Sequence, residues 1–331
     1  MKKSKLISLL ALATAAAGLA SCGDNAKCKI GVLLPVEHAA LRTCANGFKE
    51  ALNEAGLVEG SDYSFDIKNA GGSDADLTAM AKDLVSTKDM TFGLGTGASK
   101  QLMSASIEKG LTNPVFFSAV TDPVAANLVS SVENPNGFVC GTSDAQPIAE
   151  QLLLINQILP TATKLGVLYT QSEENSVIQK DQVKDIISKN APGVEVVEKA
   201  VSGPSDINAA ALALAEQVNA IYVPTDNNIA AHMNDVKQAA NSKGVLVVCG
   251  EEGMLQDGGH ITISVDYKQL GKEAGKMAVE IIKNGKKPSD FPVKFMDAST
   301  CSKVYSSANL AGSGISLPES ITKNFSDISA K

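Results

Sequence analysis

The chain has 331 residues, which is enough for two domains of about 150 residues each. Its 36 acidic and 29 basic residues give a net charge of −7 without any basic cluster, which argues against a nucleic-acid partner. The six cysteines form no Cys-x-x-Cys pair, so the common zinc and redox motifs are excluded.

Residues 1–21 are predicted to be a bacterial lipoprotein export signal. Lys2, Lys3 and Lys5 precede an apolar run, Leu6–Ala20, which is shorter than the roughly 20 residues that span a bilayer. The segment Leu19-Ala20-Ser21-Cys22 is typical of cleavage in front of a lipidated cysteine. The alternative is an ordinary secretory signal that has a cysteine at its cleavage site.

Cleavage before Cys22 would remove 21 of the 331 residues and leave 310, with a net charge of −10 because three lysines and no acid are lost. Residues 22–28 would then form a lipidated tether, and acyl chains on Cys22 would hold the protein on a membrane. We therefore expect an extracytoplasmic body that is anchored to the cell membrane by lipid.

Short β-rich runs alternate with helical patterns in the first half of the remaining chain. Strands are predicted at Lys29–Leu34, Tyr63–Lys68, Met90–Leu94 and Val115–Ser118. The intervening helices are predicted near Ala39–Ala55, Asp76–Ser86 and Ser99–Glu108. This alternation is typical of a parallel sheet with helices on both faces.

The second half repeats the same order. Strands are predicted at Lys164–Tyr169, Glu195–Lys199, Ala220–Val223 and Val245–Cys249. Helices are predicted near Ser176–Lys189, Asp206–Gln217 and Asn228–Ser242. The fold class is therefore α/β, with two Rossmann-like lobes that each contain a parallel sheet.

A hinge is predicted between the two series. The strand Phe138–Gly141 leaves the first series and ends in the small polar residues Thr142-Ser143-Asp144. The later strand Ile261–Val265 precedes a helix, Tyr267–Lys283, that we expect to return to the first lobe. The first lobe would then hold residues 29–142 and 267–295, and the second 143–266 and 296–331. Several strands would cross between the lobes, which restricts motion to hinge bending.

Polar side chains follow the predicted strands in both lobes, where doubly wound sheets bind ligands. They include Glu37-His38, Thr96–Ser99, Thr121-Asp122, Asn175-Ser176, Thr225–Asn227 and Asp266. Each of them alone is also a good helix cap, because Ser, Thr, Asp and Asn are the favoured N-cap residues. Their recurrence at the strand ends of both lobes favours a ligand cleft between the lobes.

No catalytic or cofactor motif competes with this interpretation. The three histidines are outside any His-Glu-x-x-His motif, and no Gly-x-Ser-x-Gly or phosphate-binding loop occurs. The segment Gly93–Gly97 lacks the continuation of a dinucleotide loop, so we expect no cofactor and no metal. The backbone N–H groups at the start of the following helix are predicted to meet an anionic group such as a carboxylate; the alternative is a tight turn without a ligand.

Several spaced segments resemble a known family. They are Ile30-Gly31-Val32-Leu33, Val36-Glu37-His38, Gly47-Phe48-Lys49-Glu50-Ala51-Leu52, Phe117-Ser118-Ala119-Val120-Thr121-Asp122-Pro123 and Pro224-Thr225-Asp226-Asn227. Together they resemble the substrate-binding lipoproteins of ABC transporters whose better-known members bind tryptophan, tyrosine or phenylalanine. The resemblance covers about residues 29–320. It implies a type I periplasmic-binding fold that closes on its ligand.

The resemblance also implies a set of cleft residues. They are Glu37, His38, Thr96, Ala98, Ser99, Thr121, Asp122, Ser143, Asp144, Asn175, Ser176, Thr225, Asp226, Asn227 and Asp266. Such a cleft suits an amino-acid zwitterion. The segment Thr96–Ser99 and Thr121 would hold the α-carboxylate, while Asp144 or Asp226 would pair with the α-ammonium.

We therefore expect a monomeric, lipid-anchored receptor that delivers an amino acid, aromatic or large and apolar, to an ABC permease and its ATPase. A receptor for a sugar, nucleoside or other small polar solute is the alternative, because the same fold hosts many ligands. An exported enzyme is disfavoured by the missing nucleophile, metal and cofactor motifs.

Overall fold

The computed structural model describes residues 26–135 and 137–330. The predicted signal, Cys22 and the first part of the predicted tether lie outside the described residues. In the described part of the chain, helices pack on two separate sheets whose strands are mostly parallel. The predicted two-lobed α/β class is confirmed.

The strands of the described residues alternate with helices from one end to the other. In chain order, the strands are β1 (Cys28–Leu34), β2 (Tyr63–Asn69), β3 (Met90–Leu94), β4 (Val115–Val120), β5 (Val139–Ser143), β6 (Lys164–Thr170), β7 (Glu195–Val201), β8 (Ala220–Val223), β9 (Leu246–Cys249), β10 (Ile261–Ser264), β11 (Lys294–Phe295), β12 (Ser302–Tyr305) and β13 (Ser326–Asp327). The helices are α1 (Ala39–Glu54), α2 (Asp74–Thr87), α3 (Thr96–Glu108), α4 (Ile148–Ile158), α5 (Glu174–Asn190), α6 (Ile207–Ala215), α7 (Asn227–Ala230), α8 (Met233–Lys243), α9 (Met254–Asp257), α10 (Tyr267–Asn284), α11 (Ser307–Leu310) and α12 (Glu319–Thr322).

The first sheet has the order β11-β5-β4-β3-β1-β2, with every neighbouring pair parallel. The second has the order β13-β12-β10-β9-β8-β6-β7, in which β10 and β12 are antiparallel. The chain passes between the sheets after β5, after β10 and after β11. The residue boundaries of the two lobes at 142, 266 and 295 stay a prediction.

Aromatic packing fixes the core of the first lobe. Phe48 on α1 stacks on Phe92 of β3 with ring centroids 4.4 Å apart, and its edge meets Phe116 of β4 at 5.6 Å. All three rings are fully buried. Offset and edge contacts of this kind stabilise a core beyond the burial of area alone, by about 0.5–1.5 kcal/mol a pair. Helix α1 is thereby held over β3 and β4, and Leu41 near its N-terminus lines the cavity described below.

Two helices of the structure differ from the helices that the sequence predicts. The predicted helix Asn228–Ser242 is wrong as a single element, because His232 leaves helical geometry between α7 and α8 and its Nδ1 bonds the carbonyl oxygen of Asn228 at 2.8 Å. Helix α3 begins at Thr96 rather than near Ser99. Gly95 takes a φ of 81°, which lets the chain turn from β3 directly into the helix. The patterns did not predict helix α4 or strands β11 to β13.

The described cysteines are free thiols. Cys28, Cys44, Cys140 and Cys249 are buried, as free cysteines commonly are, and pack as small apolar side chains. None of the helices within residues 26–330 is both long enough and apolar enough to cross a membrane.

Helices α1 and α10 approach each other at glycine. A Cβ on Gly271 would overlap the carbonyl oxygen of Cys44, and one on Gly47 would overlap that of Lys268. The two helices therefore touch through their backbones. This contact sets the position of the start of α10, where Tyr267 enters the cleft.

Gly271→Ala is expected to destabilise the protein by about 1–3 kcal/mol, because the added methyl group must push α10 away from α1. Gly193→Ala is the matched control, since a Cβ there meets nothing within 4 Å. Urea unfolding of the ligand-free proteins measures both changes. Equal midpoints for the two variants would show that the helix contact is not tight.

Candidate functional site

A cavity with about 270 Å³ of empty space, open solvent included, lies between the lobes, beyond the carboxyl ends of strands from both sheets. Six of the predicted cleft residues line it: His38, Asp144, Asn175, Thr225, Asp226 and Asn227. Six further residues complete the lining: Leu41, Ala119, Ala230, Glu251, Met254 and Tyr267. The lining therefore combines several acidic groups with an apolar surface.

Asp144 is a buried carboxyl at the end of β5. Its Oδ2 accepts a hydrogen bond of 2.6 Å from the Tyr267 hydroxyl, and its Oδ1 accepts one of 3.2 Å from Thr121 Oγ1. Burial raises the pKa of this carboxyl, although both hydrogen bonds oppose the rise. Its two partners stabilise the ionised form without neutralising the charge.

Glu251 is a second buried carboxyl, and it follows β9. Its Oε2 accepts the backbone N–H of Gly253, whereas its buried Oε1 has no hydrogen-bond partner. Burial raises the pKa of Glu251 to about 8, and the nearby charge of Asp144 adds to that rise. Within the described residues, no lysine or arginine forms an ion pair with either carboxyl.

His38, just before α1, joins the two lobes. Its Nε2 lies 3.1 Å from Asn227 Oδ1, which belongs to the second lobe at the start of α7. Its buried Nδ1 has no hydrogen-bond partner, and burial lowers the pKa of the ring. The cavity is therefore lined by two unpartnered polar atoms, His38 Nδ1 and Glu251 Oε1.

Asp226 lines the cavity but is held by the protein itself. Its Oδ1 accepts from Thr170 Oγ1 at 2.8 Å and from the N–H of Ile229 at 2.9 Å. Its Oδ2 accepts from the N–H of Thr170 at 2.6 Å and from Ser176 Oγ at 2.7 Å. Because four donors surround this carboxyl, it caps α7 and ties it to β6, and Asp144 is more available to a ligand cation. Ligand binding by Asp226 stays a prediction.

The other predicted residues do not line this cavity. Three of them are exposed to solvent. Glu37 pairs with Arg42, whereas Asp122 and Asp266 accept backbone N–H groups of the turn or helix that follows them. Five are buried, namely Thr96, Ala98, Ser99, Ser143 and Ser176, and Thr121 is buried beside Asp144. Their contact with a ligand stays a prediction.

Thr96 lines a second cavity, which opens to solvent and adjoins the first, since Asn175 and Asn227 line both. The buried Thr96 Oγ1 has no hydrogen-bond partner and lies at the N-terminus of α3. Lys100 of the first lobe pairs with Glu174 of the second at 2.6 Å beside this opening. The opening is thus bridged by an ion pair between the lobes.

The sequence analysis did not predict the six further residues that line the cavity, and the sequence marks only some of them as site residues. Glu251 follows a strand, as the predicted residues do, and Tyr267 directly follows the predicted Asp266. Ala119 lines the cavity because β4 is irregular there: its φ is 55° and the pairing with β5 shifts register. Such a conformation is costly for a residue with a Cβ and is often found at functional sites. No sequence pattern marks it.

The described residues contain no group of three or more His, Cys, Asp or Glu side chains that could hold a metal ion. Direct bonds between the lobes, such as Gln179 Nε2 to Thr121 Oγ1 at 3.2 Å, close the cavity on the side of α5.

Comparison with known proteins places these features in a family. The family model for ABC transporter substrate-binding proteins matches residues 29–328. The tyrosine-binding protein of Clostridioides difficile (strain R20291) is 37% identical over 276 residues, which are 83% of this chain and 78% of that protein.

Two solved structures show similar folds at 32% identity. One is an ABC domain from Streptococcus pneumonia in complex with L-Trp, which has a TM-score of 0.83 and covers 91% of this chain and 99% of its own. The other is the ligand-free, open structure of a substrate-binding protein from Clostridium difficile, with a TM-score of 0.67 and coverage of 92% and 100%. In this chain the lobes meet directly, through the contacts of His38 with Asn227 and of Lys100 with Glu174.

Glu251→Gln is expected to make the ligand-free protein more stable at pH 8. The folded-state pKa of about 8 exceeds the ordinary value of 4.5, so the protonated carboxyl contributes stability that is fully present below pH 4.5 and is lost as the pH rises through about 8. Glutamine cannot ionise and does not show this loss. The melting temperature, followed from about pH 5 to 9, should therefore fall less in the variant than in the parent.

The matched control for this measurement is Glu216→Gln, because Glu216 is exposed, pairs with Lys243 and does not line the cavity. Burial raises the pKa of Glu173 to about 8 as well. Its ionisation therefore lowers the melting temperature of the parent and of both variants by the same amount as the pH rises. Parallel profiles for the parent and Glu251→Gln would show that Glu251 ionises freely in the folded protein.

Proposed function

Because the chain belongs to the family of ABC transporter substrate-binding proteins, we propose that it is the receptor of an importer for an amino acid, aromatic or large and apolar. It would release this ligand to an ABC permease that is driven by its ATPase. The protein named for tyrosine binding and the L-Trp complex among its relatives support this ligand class.

One observation carries the proposal: two carboxyls, Asp144 and Glu251, are buried at one cavity without a protein cation. A buried charge without a partner is destabilising, so this arrangement suits a ligand that brings a positive charge. The α-ammonium group of an amino acid supplies that charge and has three N–H donors for the acceptors around it. A neutral sugar or nucleoside would leave both carboxyls uncompensated.

The remaining lining suits an apolar side chain. Leu41, Ala119, Ala230 and Met254 present apolar surface to the same cavity. Small-ligand sites commonly combine such surface with a few polar groups that fix the orientation of the ligand. For the α-carboxylate, we propose the donors near Thr121 and at the start of α3, where the hydroxyl of Thr96 is buried without a partner.

We also propose that the chain is exported and held on the membrane through Cys22. The support is the sequence Leu19-Ala20-Ser21-Cys22 after a lysine-rich start and a short apolar run.

Ligand class can be tested by fluorescence, because the chain contains no tryptophan and any indole emission comes from the ligand. The emission of L-tryptophan should shift to the blue and saturate as protein is added, because binding would move the indole from water to a partly apolar cavity. L-Tyrosine should displace it and restore the spectrum of the free amino acid. If no aromatic amino acid binds while a sugar or nucleoside does, the amino-acid assignment is wrong.

Asp144→Asn is expected to weaken amino-acid binding by about tenfold or more, because it removes one charge that faces the ligand ammonium. Asp122→Asn is the matched control, since Asp122 is exposed and accepts two backbone N–H groups at the same edge of the sheet. Calorimetric titration compares the two variants. Equal affinities for both would remove Asp144 from the ammonium site.

Cys22→Ala tests the anchor. The variant should leave the membrane fraction or accumulate as an uncleaved precursor, because the acylated residue is absent. Fractionation followed by gel migration reports both outcomes. A variant that fractionates and migrates like the parent would contradict lipidation at Cys22.

A further inference from the structure

The chain joins the base of the first lobe directly after the predicted lipidation site. Ala26 is buried, the backbone N–H of Lys27 donates to the carbonyl oxygen of Ser61 at 3.2 Å, and that of Cys28 donates to the carbonyl oxygen of Asp62 at 3.1 Å. The side chain of Lys27 also pairs with Asp62 at 2.9 Å. From residue 26 onwards, the chain is therefore part of the packed lobe.

Little chain separates this point from Cys22. Only the three residues 23–25 lie between Cys22 and Ala26, so four Cα–Cα steps join the two. Steps of at most about 3.6 Å each limit their separation to about 14 Å. Acyl chains on Cys22 would place that residue at the headgroups of a bilayer. The base of the first lobe would then stay within about 14 Å of the headgroups.

A turn of residues 55–62, between α1 and β2, forms the surface beside this point of entry. Its backbone is held on both sides: the N–H of Asp62 donates to the carbonyl oxygen of Val58 at 2.8 Å, and that of Leu57 donates to the carbonyl oxygen of Leu52 at 3.1 Å. Leu57 is buried, whereas Val58 is 59% exposed. The turn therefore presents an apolar side chain to solvent next to the place where the chain enters the lobe.

The surface around this turn is not acidic, although the chain as a whole carries a net charge of −7. Both acids of the turn are paired with lysines, Asp62 with Lys27 and Glu59 with Lys49. Lys283, near the end of α10, donates to a backbone carbonyl of the same turn. We call this surface, the turn with its three lysines, the entry patch. An anionic bilayer would attract these lysines and repel the acidic surfaces of the protein.

The ligand cavity lies at the opposite end of the same lobe. Strand β1 begins at Cys28 beside the entry patch and ends at Leu34, and His38, which lines the cavity, follows it. Strand residues advance by about 3.3 Å each, so the two ends of β1 are about 20 Å apart. A bilayer at the entry patch would therefore leave the cavity accessible to ligands.

We propose that the entry patch faces the phospholipid bilayer that anchors Cys22 and contacts its headgroups, so that the first lobe rests on the membrane and the second lobe lies beyond the cavity, away from it. This inference rests on the lipid anchor of the proposed function. The short tether maintains the contact, and the patch needs no strong affinity of its own. Val58 and the apolar stems of the lysines meet the headgroup region.

Tryptophan substitutions test this orientation, because the chain has no tryptophan of its own. Val58→Trp reports from the entry patch, and Leu212→Trp is the matched control, since Leu212 is an exposed apolar residue of α6 in the second lobe. Each lipidated full chain is bound to phosphatidylcholine–phosphatidylglycerol vesicles that contain lipids with nitroxide headgroups. These lipids should quench Val58→Trp at least about threefold more strongly than Leu212→Trp, because the tether confines only the entry patch to the bilayer surface.

A longer tether tests the cause of this confinement. Inserting about 20 glycine and serine residues after Asn25 would allow an average separation of about 25 Å between lipid and lobe. The quenching of Val58→Trp should then fall at least about twofold, while that of Leu212→Trp stays low.

Two native lysines provide the same decision if a tryptophan variant does not fold. Lys27 pairs with Asp62 and its side chain is 77% exposed, whereas Lys189 of the second lobe pairs with Asp185 and is 68% exposed. A water-soluble amine reagent and mass spectrometry measure both rates on vesicles. Relative to Lys189, Lys27 should react at least about threefold more slowly with the native tether than with the long one.

Equal quenching of the two tryptophans in vesicle-bound protein would overturn the inference and leave the lipid anchor standing. So would quenching or lysine reactivity that the longer tether does not change, because the tether would then not hold the patch at the bilayer. A chain whose Cys22 carries no acyl group and that does not float with vesicles would refute the anchor itself, and this inference with it.

Discussion

The site depends on the burial of two carboxyls that the protein does not neutralise. Asp144 is held by the hydroxyls of Tyr267 and Thr121, and Glu251 by a backbone N–H, so each is hydrogen-bonded but retains its charge when ionised. Burial raises the pKa of both groups, because the ionised carboxyl is poorly solvated in the cavity. Under the proposed function, the ligand ammonium would stabilise the ionised carboxyls in the closed cavity, so that binding and closure would favour each other.

The fold brings these groups together from distant parts of the chain. Asp144 ends a strand of the first sheet, Glu251 follows a strand of the second, and Tyr267 begins a helix that returns from the second sheet to pack on α1. Gly271 and Gly47 let the two helix backbones touch at that return. Glycines outside the lining thus help to position the Tyr267 hydroxyl against Asp144.

Polar contacts between the lobes hold them together, and some of these contacts lie closer to the cavity than others. The pair Lys100–Glu174 is partly exposed to solvent, and such surface pairs contribute little stability, about 0–1 kcal/mol. The bond from His38 to Asn227 lies next to the cavity and links the start of α1 to the start of α7. Contact between the lobes therefore also fixes the position of two residues that line the cavity.

The sequence by itself determined the alternation of strands and helices, the two lobes and the polar character of the strand ends, because hydrophobic periodicity and turn residues are local signals. Only the tertiary structure decided which polar residues face the cavity. Asp226 and Asp144 both follow strands, yet four protein donors surround the first and two hydroxyls the second. A helix cap and a ligand contact require the same residue types at the same position, so the two roles separate only when strand order and lobe closure bring distant donors into place.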